Sequence, residues 1–163
     1  MDAISMATDW APSIVPTIDS AVPRSTWIRN EPRVAERMTN PPSVLDESRR
    51  ATVLFAVREV CTHRNWNLLA AHVRTTHVHM VVDAEDRPER VLNDVKARAT
   101  HRLNSLELGL PSRKRWARHG STRWLWKVEA VAAAINYVVD GQGLPMAVFC
   151  GPGWGRLLTR AVP

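Results

Sequence analysis

Two histidines two positions apart, and a tyrosine that is the only one in the chain, are the residues here whose types and spacing can do chemistry together. His77 and His79 lie in Thr76-His77-Val78-His79-Met80-Val81-Val82, and the tyrosine is Tyr137. Polar and apolar residues alternate over residues 76–82, which is the period of a strand. Residues two apart on a strand share a face, so His77 and His79 sit side by side while Val78, Met80 and Val82 point to a core. Paired imidazoles at this spacing suit one divalent metal. A metal beside a solitary phenol points to a tyrosine nucleophile attacking a metal-polarised phosphate.

The elements around these residues must place them. Asp46 is a candidate N-cap, and Val53, Leu54, Val57, Val60 and Cys61 follow at helical spacing, which predicts a helix over residues 47–63. Residues 66–73 read as a strand and form an antiparallel hairpin with the histidine strand. Asp86-Arg87-Pro88-Glu89 has the pattern of a capping-box variant with Asp86 as N-cap, and the helix it opens runs to about Leu106. Residues 112–122 are basic. Residues 124–127 read as a short strand, and residues 129–139 as a helix with Val131, Ala134, Ile135 and Val138 apolar and Gly141 as its stop. This order predicts an α+β fold with helices packed on one face of an antiparallel sheet, ferredoxin-like if one more strand precedes it.

The bulk composition bounds the function classes. With 163 residues and 45% apolar content, the chain is long enough for one domain with a real core. A net charge of +6 favours a polyanionic partner, and nucleic acid is the first candidate. Two cysteines give neither a disulfide framework nor a zinc cluster, and Cys61 reads as a buried core thiol. There is no secretory pattern and no apolar run long enough to span a membrane, so the expectation is cytoplasmic. Prolines at 12, 16, 23, 32, 41 and 42 interrupt residues 1–42, which read as a variable, poorly ordered extension with at most a strand near Trp27. Residues 43–150 form the main domain and 151–163 a tail.

Three blocks resemble the HUH single-tyrosine transposases, the REP-associated tyrosine transposases and their insertion-sequence relatives: Val73-Arg74-Thr75-Thr76-His77-Val78-His79-Met80-Val81-Val82, Arg118-His119-Gly120-Ser121-Thr122-Arg123-Trp124-Leu125-Trp126-Lys127, and Ala134-Ile135-Asn136-Tyr137-Val138-Val139. In order and spacing they look like that family's metal strand, its basic loop with the following strand, and its tyrosine helix. The resemblance implies a ferredoxin-like domain that binds single-stranded or hairpin DNA. His77, His79 and one further polar side chain would hold Mg²⁺ or Mn²⁺, and Tyr137 would attack a phosphodiester to give a 5′-phosphotyrosyl intermediate and a free 3′-hydroxyl. Relatives carry the third ligand about one turn past the tyrosine. Here that position is Gly141, flanked by Asp140 and Gln142, and Gln142 matches the amide of the relatives. Some relatives exchange the tyrosine helix within a homodimer and others act as monomers. The family also opens with an apolar central strand for which residues 1–42 offer no clean counterpart, so an incomplete sheet is expected.

Arg113, Lys114, Arg115, Arg118, His119, Arg123 and Lys127, interleaved with tryptophans, suit a DNA surface, with charges for phosphates and rings for bases. At least one of Trp124 and Trp126 is expected in the core, and His72 at a cross-strand or surface position. Two other classes compete with a nicking and strand-transfer enzyme. One is a catalytically inactive hairpin-binding remnant that needs neither Tyr137 nor metal. The other is a metal hydrolase, disfavoured because only Asp83 offers a carboxylate near the histidine strand.

Overall fold

The computed structural model describes residues 13–19 (as backbone), 44–106, 115–117 and 120–152. Within them lie β1 (Ser13–Asp19), α1 (Glu47–Arg64), β2 (Asn67–Val73), β3 (His77–Asp83), α2 (Pro88–Leu106), β4 (Ser121–Leu125), α3 (Val128–Val139) and β5 (Ala147–Cys150). The strands form one antiparallel sheet in the order β4-β1-β3-β2-β5. The α+β antiparallel architecture expected from the sequence is present.

Local chemistry accounts for the helix ends. The Asp46 carboxylate accepts from the Arg49 backbone N–H at 2.8 Å, the capping bond its position predicts, and α1 stops where Asn65 turns left-handed. Asp86 departs from its expected role. Its carboxylate accepts from Trp66 Nε1 at 3.0 Å and pairs with Arg90 at 2.9 Å, so it ties the entry of α2 to the residue just before β2 rather than capping a backbone N–H.

Two apolar clusters lie on the two faces of the sheet. Val78, Met80 and Val82 of β3 join Ala71 and Val73 of β2 beneath α1 and α2, with Val53, Val57, Val91, Val95, Ala99 and Leu103. Leu69, Ala70, Val81 and Leu125 pack instead with Val131, Ile135 and Val138 of α3. The single-face arrangement therefore holds for α1 and α2, and α3 covers the opposite face. The physical reason is Val81: it follows His77 and His79 on their own face, and a bulge between Leu68 and Ala70 turns further apolar surface the same way. That half-apolar face needs a cover. Burying the three large α3 side chains contributes about 1.5–3 kcal/mol each, enough to anchor the helix.

The N-terminal expectation needs correction. Ser13–Asp19 forms a strand hydrogen-bonded between β3 and β4, despite Pro12 and Pro16. In the β1–β3 ladder, the matched pairs skip from Ile14–Val82 to Thr17–His79, passing over Val15 and Pro16. The ladder thus accommodates a residue with no N–H, and the sheet has its additional strand. The strand suggested near Trp27 lies outside the described residues. β4 begins at Ser121, three residues earlier than its aromatic run, because Ser121, Thr122 and Arg123 pair with Thr17, Pro16 and Val15. β5 was not foreseen at all; four residues carry too little periodicity to register. Cys61 is buried as expected, and desolvation pushes its thiol up to about 12. None of the helices among the described residues is long and apolar enough to cross a membrane.

Candidate active site

The hairpin β2–β3 and the end of α3 bring the two histidines and the tyrosine together. His77 and His79 share one face of β3, with ring centroids 4.9 Å apart at 84°. The Tyr137 ring meets His79 edge to face, centroids 5.8 Å apart at 89°. His79 is buried, whereas Tyr137 is 38% exposed. The pair thus sits at the margin of a packed region, with the imidazole inside and the tyrosine partly open to solvent. Thr76 Oγ1 lies 3.3 Å from His77 Nδ1 at the mouth of the hairpin.

Gly141 explains how the ring sits. A Cβ built on Gly141 would stand 2.9 Å from Tyr137 Cα, Cδ2 and O. The residue one turn past the tyrosine is thus a glycine because the tyrosine ring and its own backbone fill the space a side chain would need. Among its neighbours, Asp140 is the exposed C-cap, and its backbone N–H donates to Asn136 O at 2.8 Å. No three His, Cys, Asp or Glu side chains among the described residues form a group able to hold a metal ion, so Asp140 does not complete a set with the histidines. Gln142 differs: its Nε2 donates to Val138 O at 3.3 Å, while its Oε1 is buried with no hydrogen-bond partner. A buried amide oxygen without a donor is a costly arrangement.

His72 was expected at a cross-strand or surface position. It pairs across strands with His79 and is fully buried. Its Nδ1 lies 3.0 Å from Val138 O, and the Met146 N–H donates to its Nε2 at 3.2 Å. Burial lowers its pKa, and the charges of Arg74 and His77 push the same way, against the hydrogen bond to Val138. Arg74 Nη1 donates to Leu144 O at 3.0 Å. These two residues tie residues 138–146 to β2, and sequence reasoning assigned neither of them this part. The signal was available only through the hairpin register that sets His72 opposite His79.

The basic surface divides. Arg123 is exposed and, by strand alternation, shares the face of Leu125, which is the face α3 covers. Lys127 is exposed at the N-terminus of α3. Arg115 is 6% exposed and donates to Asn104 Oδ1 at 2.6 Å. Trp116 Nε1 donates to Thr100 at 2.8 Å and Lys96 to Ala117 O at 3.0 Å. Residues 115–117 are thus bound down onto α2, with Arg115 nearly buried against it. Arg113, Lys114, Arg118 and His119 lie outside the described residues. Trp124 and Trp126 contradict the expectation of a core ring: they are 39% and 66% exposed and stack on each other, centroids 5.6 Å apart at 19°. Among the described residues β4 is an edge strand, with no strand on its outer side.

No family model matches the chain, and no curated protein matches it significantly. Among solved structures, the fold is similar to that of a REP-associated tyrosine transposase bound to a REP hairpin, with a TM-score of 0.53 and 14% identity, the match covering 86% of this chain and 72% of that one. A similarity of this degree places the chain in the same fold, a distant structural relationship.

Proposed function

We propose that this chain is a metal-dependent enzyme that nicks single-stranded DNA and transfers the cut strand through Tyr137. The observation that carries the reading is the edge-to-face contact of the chain's only tyrosine with His79, beside His77. Tyr137 Oη would attack the scissile phosphorus and form a P–O bond. The bond to the 3′ oxygen breaks, the phenol gives up its proton, and the departing 3′ oxygen takes one up. The 5′ end stays on the tyrosine, so the bond energy is conserved for rejoining to another 3′-hydroxyl.

A phenol with an ordinary pKa near 10 is a weak nucleophile at neutral pH. His77, His79 and the orphaned Oε1 of Gln142 would offer Mg²⁺ or Mn²⁺ two imidazole nitrogens and one hard oxygen. When bound, the ion would neutralise charge at the scissile phosphate. Exposed Arg123 and Lys127 would hold the DNA backbone, and the stacked Trp124–Trp126 pair offers an aromatic face to an unpaired base.

That tryptophan pair also supports a second reading, a hairpin-binding protein without catalysis, since it requires neither Tyr137 nor metal. Incubating the protein with a short DNA hairpin and Mn²⁺, then resolving it on a denaturing gel, separates the two. An adduct that vanishes with chelator and with Tyr137→Phe supports the enzyme. Hairpin retained on a native gel by wild type and Tyr137→Phe alike, with no adduct from either, supports the binding protein.

A further inference from the structure

A buried ring bonds the turn of α3 that carries Tyr137 to the sheet. His72 Nδ1 lies 3.0 Å from the carbonyl of Val138, the residue after the tyrosine, and its Nε2 is 3.2 Å from the backbone N–H of Met146. A carbonyl only accepts and an amide N–H only donates. Together they fix the neutral tautomer with the proton on Nδ1. Both nitrogens are committed, so this third histidine on the face of His77 and His79 is no spare ligand. Apolar contacts from Val131, Ile135 and Val138 press α3 onto the sheet but have no direction, and a helix held by them alone can shift along its axis. The bond to Val138 is directional, and it sits on the strand paired with His79.

We infer that His72 is a positioning residue for Tyr137, fixing the last turn of α3 against β2 and with it the place of the phenol beside His79. The consequence for rate rests on the proposed nucleophile, whereas the geometric claim does not. A misplacement of about 1 Å in a reacting group costs on the order of a hundredfold in rate.

Tyr137 is the only tyrosine, so protein labelled with 3-fluorotyrosine gives one ¹⁹F resonance that reports its surroundings alone. His72→Asn keeps a donor near the Nδ1 position and so retains the bond to Val138. His72→Gln places its amide near the Nε2 position and retains only the Met146 side. The expected result is a resonance in His72→Asn that matches wild type, and one in His72→Gln that is shifted or split. Val57→Ala, a core truncation under α1 on the other face, should leave the resonance in place while lowering stability. On a DNA hairpin with Mn²⁺, His72→Gln should lower the single-turnover rate of adduct formation at saturating DNA by about a hundredfold. The DNA concentration for half-saturation should be unchanged, and His72→Asn should restore the rate to within a few-fold. An unmoved resonance in His72→Gln, or an equal shift in Val57→Ala, overturns the inference. If wild type forms no adduct, the nucleophile reading fails, and the resonance still decides the role of His72.

Discussion

Replacing Gly141 by alanine tests whether the tyrosine ring is seated as described. Gly141 is not in the left-handed region, where only Gly143 is found among the described glycines. An ordinary Gly→Ala change at such a position stabilises by about 0.4–1 kcal/mol, through the unfolded chain. Here the new methyl carbon would lie 2.9 Å from three atoms of Tyr137, one ring carbon and two backbone atoms. Ordinary carbon–carbon contact begins near about 3.5 Å, so about 0.6 Å of movement is required. The ring can swing aside, but Cα and O can move only if the last turn of α3 opens. Overpacking of this kind costs about 1–3 kcal/mol, which at mid-range exceeds the gain and leaves a net loss of about 1 kcal/mol. For a domain of this size that is a fall in Tm of about 2–8 °C, measured by thermal unfolding followed by circular dichroism. A Tm equal to or above wild type would refute the packing of Tyr137 on Gly141.

Three other outcomes follow from the same structure. Glu59 accepts from Arg98 and Arg102, with Arg98 Nε at 2.6 Å and Arg102 Nε at 3.0 Å, and these bonds lower its carboxyl from 4.5 to about 2. A depressed acid stabilises the fold above its unfolded value and loses that contribution as pH falls from about 4.5 to about 2; Glu59→Gln should flatten that part of a Tm-against-pH curve, and an unchanged slope would contradict the assignment. Trp126→Ala should leave Tm within about a degree, because the ring is 66% exposed, yet weaken hairpin binding in a fluorescence-anisotropy titration by about fivefold or more; equal affinity would remove the stacking surface. Arg115→Ala should cost about 1–3 kcal/mol by removing a hydrogen bond from a charged donor to Asn104 and loosening residues 115–117 on α2, seen in urea unfolding; weaker DNA binding at full stability would place Arg115 on the phosphate surface instead.

Much of this arrangement was legible in the sequence, and the failures share one cause. The three helices and the β2–β3 hairpin were readable because their periodicity is local: α1 and its Asp46 cap, the stop at Gly141, and alternation through His77, Val78, His79 and Met80. β1, β5 and the true start of β4 were not readable, because their strand character comes from partners rather than from pattern. A proline-bearing segment becomes a strand when two neighbours bond to it, and Thr122 and Arg123 become β4 when β1 lies beside them. The side chosen by α3 depended on Val81, whose burial cannot be distinguished by type from that of Val82. At the site, residue types named His77, His79 and Tyr137, but the fixing of Tyr137 by His72 and Gly141 needed tertiary distances. The tryptophans were misjudged, since aromaticity does not reveal which ring faces water, and charge gave no sign that Arg115 bonds to a helix.

The central claim is that Tyr137 bonds covalently to DNA, and peptide mass spectrometry tests it most directly. The protein would be incubated with a DNA hairpin carrying a single-stranded flank and Mn²⁺, then digested with protease and nuclease. The account predicts a nucleotide phosphate attached to the peptide containing Tyr137 and absent when chelator is present. Cleaved DNA with unmodified Tyr137, or a phosphate carried by any other residue, would contradict it.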